Sequence, residues 1–436
     1  MVLYASHITP RLRYIVDFCG RELFDEAIRL TSDKDVFLAD PGPRINYSSD
    51  SMPAIFSIVP ATLLFETGLR RQAIDCFELN GHKAFFASPG GDLPFDILAA
   101  AFYLISRYEE YLPHNKDEYG RYAHTESLAW REGFLHLPLV NYWLQDLRDA
   151  LVRYYSEPGF RYPTFKFIPT YDIDSAFSYR YKEWWRNLGG GLKSLVKGKL
   201  GTLRERIGVL QGRRQDPWDA YEWLDSLHLY CRLRPYYFFL VAARCKGVDR
   251  NLPPSSAGFR DLIQYHGKGY RLGIHPSWQS GDDEGLLREE IEWLEVIGGQ
   301  TITRSRQHYI RFTLPETYRR LLRHKIDTDF SMGYGSINGF RASVASSFYW
   351  YDLEKEEATG LRVFPFCFMD ANSYYEQKYT AAQAMNELLH YYRHCRKVNG
   401  LMITIWHNSF LGTDPTFSGW REVYEIFLKE EVFWNP

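Results

Sequence analysis

Apolar runs that end on an acid or a histidine recur along the second half of the chain. Residues Lys166 to Ser178 read Lys-Phe-Ile-Pro-Thr-Tyr-Asp-Ile-Asp-Ser-Ala-Phe-Ser, an apolar run that stops at Asp172 and Asp174. Such a run predicts a buried strand that delivers polar groups to one end of a sheet. Side chains two apart on a strand share a face, so the two carboxylates converge while Ile173 turns into packing. Close carboxylates do not both stay ionised cheaply; one is held neutral, or a cation sits between them. Taken alone, the stretch fits equally a pair of solvated acids in a loop that follows a strand.

The pattern continues downstream. Pro235 to Ala242 is a continuous apolar run, the mark of a parallel strand buried on both faces. Tyr270 to Ile274 leads into His275, Gln300 to Phe312 reads as extended, Val363 to Phe368 leads into Met369-Asp370, and Leu401 to Trp406 leads into His407-Asn408. Helical periodicity falls between these runs, at Trp218–Leu229, Leu286–Ile297, Tyr318–Arg323 and Ala381–Lys397. This alternation predicts an α/β fold with polar groups gathered at the carboxyl ends of its strands.

The first part of the chain carries no such cargo. Phe95–Leu112, set between Pro94 and Pro113, and Leu139–Tyr155 are its predicted helices. His114, His124 and His136 are spaced too irregularly for a metal site and read as loop histidines. A chain of 436 residues exceeds one ordinary core, and the cluster Pro158, Gly159, Pro163 marks a boundary at Glu157–Pro163. The expectation is an N-terminal α/β module over residues 1–160 and a second domain over 161–436.

Within the second domain, an insert at about 180–216 stands apart in charge. Arg180 to Arg214 holds ten Lys/Arg against two Glu, and Leu192, Leu195, Val196, Leu200, Leu203, Ile207 and Leu210 recur at helical spacing. A basic amphipathic helix of this kind predicts peripheral contact of residues 186–214 with an anionic membrane, or else a solvated insert packed on its own domain.

Composition narrows the rest. A net charge of -2 argues against nucleic-acid binding, which needs a basic footprint. The six cysteines are scattered with no CxxC pair, so neither a zinc cluster nor a disulfide framework is indicated. Met1 to Gly20 shows no signal-peptide pattern, and no run reaches the roughly 18 apolar residues of a membrane span. The expected location is the cytoplasm, with peripheral membrane attachment as the variant. The 32 Tyr and 12 Trp suit either sugar stacking or packing at domain seams.

Over about residues 165–436 these motifs resemble the polysaccharide deacetylases, the NodB-like carbohydrate esterase family 4. Thr170-Tyr171-Asp172-Ile173-Asp174 looks like that family's Thr-Phe-Asp-x-Asp strand. The resemblance implies Asp172 as catalytic base and Asp174 as metal ligand. His275 matches the first histidine of the His-Ser/Thr-x-x-His motif, but Gln279 stands where the second belongs. Arg306-Gln307-His308-Tyr309 looks like the Arg-x-Pro-Tyr motif, which implies that Arg306 orients Asp172 and that the Tyr309 backbone N–H holds an oxyanion. Ile405-Trp406-His407 matches Leu-x-His, which implies His407 as general acid; Asp370 is the candidate to orient it.

With Gln279 in place of a ligand, His308 is the candidate replacement. The expected set is Asp174, His275 and His308 around an open divalent metal, most simply zinc. Trp278, Tyr309 and Trp406 are expected to line the cleft. The resemblance implies a distorted seven-stranded (β/α) barrel behind a separate N-terminal module, and a metal-dependent hydrolase that removes the N-acetyl group of an amino sugar in a polysaccharide or glycoconjugate precursor. Two alternatives stand beside it: an inactive carbohydrate-binding or assembly protein on the same scaffold, and a hydrolase of another non-peptide C–N bond such as a formyl amide.

Overall fold

The computed structural model describes residues 1–155, 159–242, 244–245 and 247–433. Glu157 and Pro158 of the expected boundary lie outside the described residues. The chain opens with four short parallel strands, β1 (Val2–Tyr4), β2 (Arg29–Thr31), β3 (Arg44–Asn46) and β4 (Phe56–Ser57), in the order β2-β1-β3-β4. A hairpin of β5 (Phe77–Leu79) and β6 (His82–Ala84) follows.

Three helices, Pro10–Leu23, Ile97–Ile105 and Leu139–Tyr155, pack on one another beside these strands. Pro10 starts the first helix, where its missing N–H costs nothing, and the Thr9 side chain accepts from Leu12 N–H. The helix expected over Phe95–Leu112 covers only Ile97–Ile105. Arg107 turns left-handed at φ 55°, and its guanidinium reaches Glu109 and Glu110 in the following 3-10 turn, a local ion cluster that outweighs continued helix.

The main sheet has nine strands: β7 (Lys166–Ile173), β8 (Tyr236–Phe239), β9 (Arg271–Ile274), β10 (Arg304–Ser305), β11 (Thr328–Asp329), β12 (Phe348–Asp352), β13 (Glu357–Val363), β14 (Phe368–Met369) and β15 (Leu401–His407). Their order is β12-β13-β11-β10-β9-β8-β7-β15-β14, and every neighbouring pair is parallel except the β12–β13 hairpin. The fold is therefore α/β as expected, but the strand count is nine rather than seven. No pairing joins β12 to β14 among the described residues, so the sheet stays open.

The N-terminal helices explain one edge. Pro10–Leu23 packs on β13, Tyr14 donates to the Tyr349 carbonyl of β12 at 2.6 Å, and Arg11 pairs with Glu356. An edge covered in this way needs no further strand. The N-terminal part is also not separate in its packing: Leu12, Phe102 and Trp143 belong to the same buried cluster as Tyr171, Phe238 and Ile405.

Because the paired strands of the core run in parallel, their carboxyl ends meet at one edge of the sheet. Register sets Asp172 beside both His407 and Phe238, and Ser305 beside Ile274, which brings His275 and Arg306 to the same level. Gly273 is required here, since a Cβ would lie 2.4 Å from the Phe238 ring. The stretch Gln300–Phe312 is extended only at Arg304–Ser305; His308–Ile310 forms a 3-10 turn with Tyr309 at φ 58° and Ile310 at φ 54°. The basic insert is a hairpin of two helices, Trp184–Val196 and Leu200–Leu210, parted at Gly198. Among the described residues no helix is long and apolar enough to cross a membrane.

Candidate metal centre and catalytic cleft

Asp172 is the penultimate residue of β7 and is buried. Arg306, itself fully buried, donates from one Nη1 to Asp172 Oδ1 at 2.9 Å and to Thr170 Oγ1 at 2.6 Å, while its Nε donates to the Phe330 carbonyl. The guanidinium carbon lies 4.5 Å from the centroid of the Phe238 ring, and burial lowers the pKa of Arg306 against the raising effect of Asp172. Asp172 is thus a fixed carboxylate with Oδ2 left facing His275, 3.9 Å away.

Two residues on, Asp174 meets three histidines. Its Oδ1 is 3.1 Å from His275 Nε2, and its Oδ2 is 3.6 Å from His308 Nε2 and 3.5 Å from His407 Nε2. Burial pushes the Asp174 carboxyl up, but His308 and His407 together hold it well below the usual carboxylate range. Each histidine is anchored through its other nitrogen. His275 Nδ1 sits 2.6 Å from the Arg306 carbonyl, His308 Nδ1 2.9 Å from Asp249 Oδ1, and His407 Nδ1 2.6 Å from Asp370 Oδ1. A carbonyl accepts only, so Nδ1 of His275 donates there, which turns Nε2 toward Asp174.

This donor set fits a divalent cation. Ligand atoms of Asp174, His275 and His308 all lie within 4.8 Å of one another. Asp174 Oδ1 is buried and makes no hydrogen bond among the described residues, although His275 Nε2 is at hand. A buried carboxylate oxygen 3.1 Å from a ring nitrogen is costly unless a cation or a proton stands between them. Imidazole held from behind by a carbonyl or carboxylate is also how histidine ligands are oriented. His308 shows what the vicinity does to a proton instead: burial lowers its pKa, but Asp174 and Asp249 raise it to about 9.

His407 ends β15 across from Asp172. Asp370, fully buried, takes the His407 backbone N–H at 2.7 Å on Oδ2 and faces Nδ1 with Oδ1. Burial would lower the His407 pKa, but Asp370 and then Asp174 raise it to about 10, which favours the protonated ring.

These groups open into a cleft of about 670 Å³ lined by Asp172, Asp174, His275, His308, Tyr309 and His407. Its size falls in the range of small-molecule sites, about 300–1,000 Å³. Tyr309 and Tyr375 are exposed on its walls. Trp278 does not line it; the ring stands 5.8 Å behind Tyr309 and carries Arg311 at 4.4 Å. Trp406 is fully buried against Tyr424 and Phe368, which corrects the expectation that it faces the cleft. Neighbouring residues on a strand point to opposite faces, so the residue beside His407 belongs to the core.

Three contributors were missed from the sequence. Asp249 lies in the loop after β8, positioned by Asn251, whose side chain bonds the Ile173 and Leu240 carbonyls and Ala176 N–H. Tyr119 and Arg121 come from the N-terminal part and also line the cleft. Arg121 donates to the Tyr309 carbonyl at 2.7 Å and to Asp117 at 2.6 Å, with its guanidinium 4.7 Å from the Tyr119 ring.

Residues 1–156 match the model of a family of unknown function, DUF7033. Comparison with curated proteins gives no match. A solved structure from Mycobacterium smegmatis, described as a "putative polysaccharide deacetylase", is 14% identical with a TM-score of 0.39, over 62% of this chain and 86% of that one.

Proposed function

We propose that the protein is a metal-dependent hydrolase that removes the N-acetyl group from an amino sugar of a polysaccharide or glycoconjugate precursor. The observation that carries the reading is that a fixed carboxylate, Asp172, and a carboxylate-backed imidazole, His407, stand in register on neighbouring strands beside the set Asp174, His275 and His308. The motif resemblance over residues 165–436 supports the same roles. A divalent cation held by these three residues, most simply zinc, would polarise an amide carbonyl and acidify water at neutral pH.

Asp172, with Oδ1 fixed by Arg306, takes the proton from the attacking water as its oxygen bonds to the acetyl carbon. The Tyr309 backbone N–H is the candidate donor to the developing oxyanion, a contribution of about 3 kcal/mol in comparable sites. His407, held protonated by Asp370, gives its proton to the nitrogen as the C–N bond breaks, leaving acetate and a free amine. Tyr309, Tyr375 and Tyr119 provide faces on which a sugar ring stacks.

The test is metal content followed by acetate release from N-acetylated oligosaccharides. About one equivalent of divalent metal is expected in the wild type. Asp174→Ala and His308→Ala should lose metal and acetate release together. A wild type that binds no metal after zinc repletion refutes the reading.

A further inference from the structure

The two helices of the basic insert pack in the reverse of the usual amphipathic order. On Trp184–Val196 the buried residues are Asn187, Gly191 and Ser194. They face the second helix: Asn187 Oδ1 accepts from Arg206 at 3.0 Å, and a Cβ on Gly191 would touch Leu203. The large apolar side chains point outward instead. Trp184 is 76% exposed and Val196 87%, with Trp185, Leu188, Leu192 and Leu195 all more than half exposed. At about 100° per residue these six fall within about 120° of the helix circumference. Leu200, Ile207 and Leu210 extend the exposed surface on the second helix.

Charge accompanies this face. Lys193, Lys197, Lys199 and Arg204 are exposed on the hairpin, and Arg213 and Arg214 just beyond it. None of the six has an ion pair among the described residues, although the whole chain carries a net charge of -2. An apolar arc bordered by unpaired cations matches one surface in particular: acyl chains beneath anionic headgroups.

We propose that this hairpin docks on an anionic lipid membrane, with the Trp184–Val196 arc below the headgroups and the lysines and arginines snorkelling to the phosphates. Its base is fastened to the catalytic edge of the sheet. The buried Asp216 carboxylate accepts from the backbone N–H groups of Ser178, Tyr179 and Arg180 at 2.7–3.0 Å, a few residues past Asp174. Docking therefore brings the cleft near the lipid surface, where a lipid-linked amino sugar is the fitting substrate class; that last step rests on the proposed function, whereas membrane binding does not.

The experiment is cosedimentation of the full chain with phosphatidylcholine vesicles and with equimolar phosphatidylcholine and phosphatidylglycerol, at low and high salt. Partition into the anionic vesicles should be at least about tenfold stronger and should fall with salt. Lys193→Glu, Lys197→Glu and Lys199→Glu combined, and separately Leu192→Asp with Leu195→Asp, should each remove about tenfold or more, with metal content and thermal unfolding unchanged. Equal partition into both vesicles, or none into either, overturns the proposal. A lipid-free dimer in sedimentation velocity that Leu192→Asp dissolves would also overturn it, in favour of a second copy on this face. Acetate release plays no part in these readouts, so loss of the hydrolase reading leaves the docking result intact, and the reverse.

Discussion

His308 Nδ1 lies 2.9 Å from Asp249 Oδ1, and this contact turns the Nε2 edge of the ring toward Asp174. Asp249 is itself held, by the Trp278 N–H at 2.9 Å and by Gln279 Nε2 at 3.4 Å. Gln279, at the position where the resemblance places a second histidine, therefore stands behind His308 rather than beside a cation. Asp249→Ala should lower metal affinity about 10–100-fold, the usual effect of removing a group that orients a histidine ligand. Gln279→Ala should cost less. Chelator competition measures both, and wild-type affinity in Asp249→Ala would remove Asp249 from the site.

Protons compete with metal at the same nitrogen. In the metal-free protein burial lowers the His308 pKa, but Asp174 and Asp249 raise it to about 9. Below that pH a bound cation displaces a proton, so affinity should fall about tenfold per unit as pH drops. Calorimetry at pH 7 in buffers of different ionisation enthalpy should show at least one proton released per metal. No proton release would mean His308 is neutral already or is not a ligand.

How much of this was legible in the sequence follows from topology. Asp172, Asp174, His275 and His407 were readable because parallel strands carry whatever follows them to one edge, and register then aligns His407 with Asp172. The strand period also bears on Trp406, since a residue next to an edge-facing histidine turns into the core. Asp249 had no such signal: it lies well past Phe239 in a loop whose path depends on buried Asn251. Tyr119 and Arg121 reach the cleft only through tertiary packing, which no local pattern encodes. The open sheet was hidden for a similar reason, because Pro10–Leu23 covers the β12–β13 edge from more than 300 positions away.

Asp370 should control the alkaline limb of activity. Burial alone would lower the His407 pKa, whereas Asp370 at 2.6 Å and Asp174 raise it to about 10. That is the metal-free ring; a cation on Asp174 cancels the Asp174 share and leaves that of Asp370, so in the active protein Asp370 sets the pH at which the acid is lost. In Asp370→Asn the loss should begin at least about one unit lower, and kcat should drop about 10²–10⁴-fold toward that of His407→Ala. An unchanged alkaline limb in Asp370→Asn would exclude His407 as the acid.

Arg121 is expected to act on turnover through Tyr309. Tyr309 and Ile310 both adopt left-handed conformations, each costing about 1–3 kcal/mol, and Arg121 holds the Tyr309 carbonyl. Without that hold the turn relaxes and the Tyr309 N–H leaves its position. Arg121→Ala should lower kcat by about 10–100-fold with metal stoichiometry intact, and Arg121→Lys should recover only part, because lysine lacks the fork that spans Asp117 and Tyr309. A change confined to KM would make Arg121 a binding group instead.

Glu110 joins the N-terminal part to the loop between β11 and β12 that carries Arg341. It accepts from Arg107 Nε at 2.7 Å and, through both oxygens, from Arg341 at 2.8 and 2.6 Å, with all three side chains buried. Burial raises its pKa, but Arg341 and Arg107 bring it down to about 2 against an ordinary 4.5. A depressed carboxyl contributes stability that is complete above 4.5 and is lost as pH falls from 4.5 toward 2, at most about 3 kcal/mol here. Glu110→Gln should cost about 3–5 kcal/mol at neutral pH, since it leaves the buried Arg341 guanidinium without its anion and Arg107 with Glu109 alone. It should also flatten the pH dependence in that window. Urea unfolding of both proteins across pH 2–5 reads the two effects together, and matching slopes would mean that the seam is held by apolar packing such as Tyr14 on Tyr351 rather than by this ion cluster.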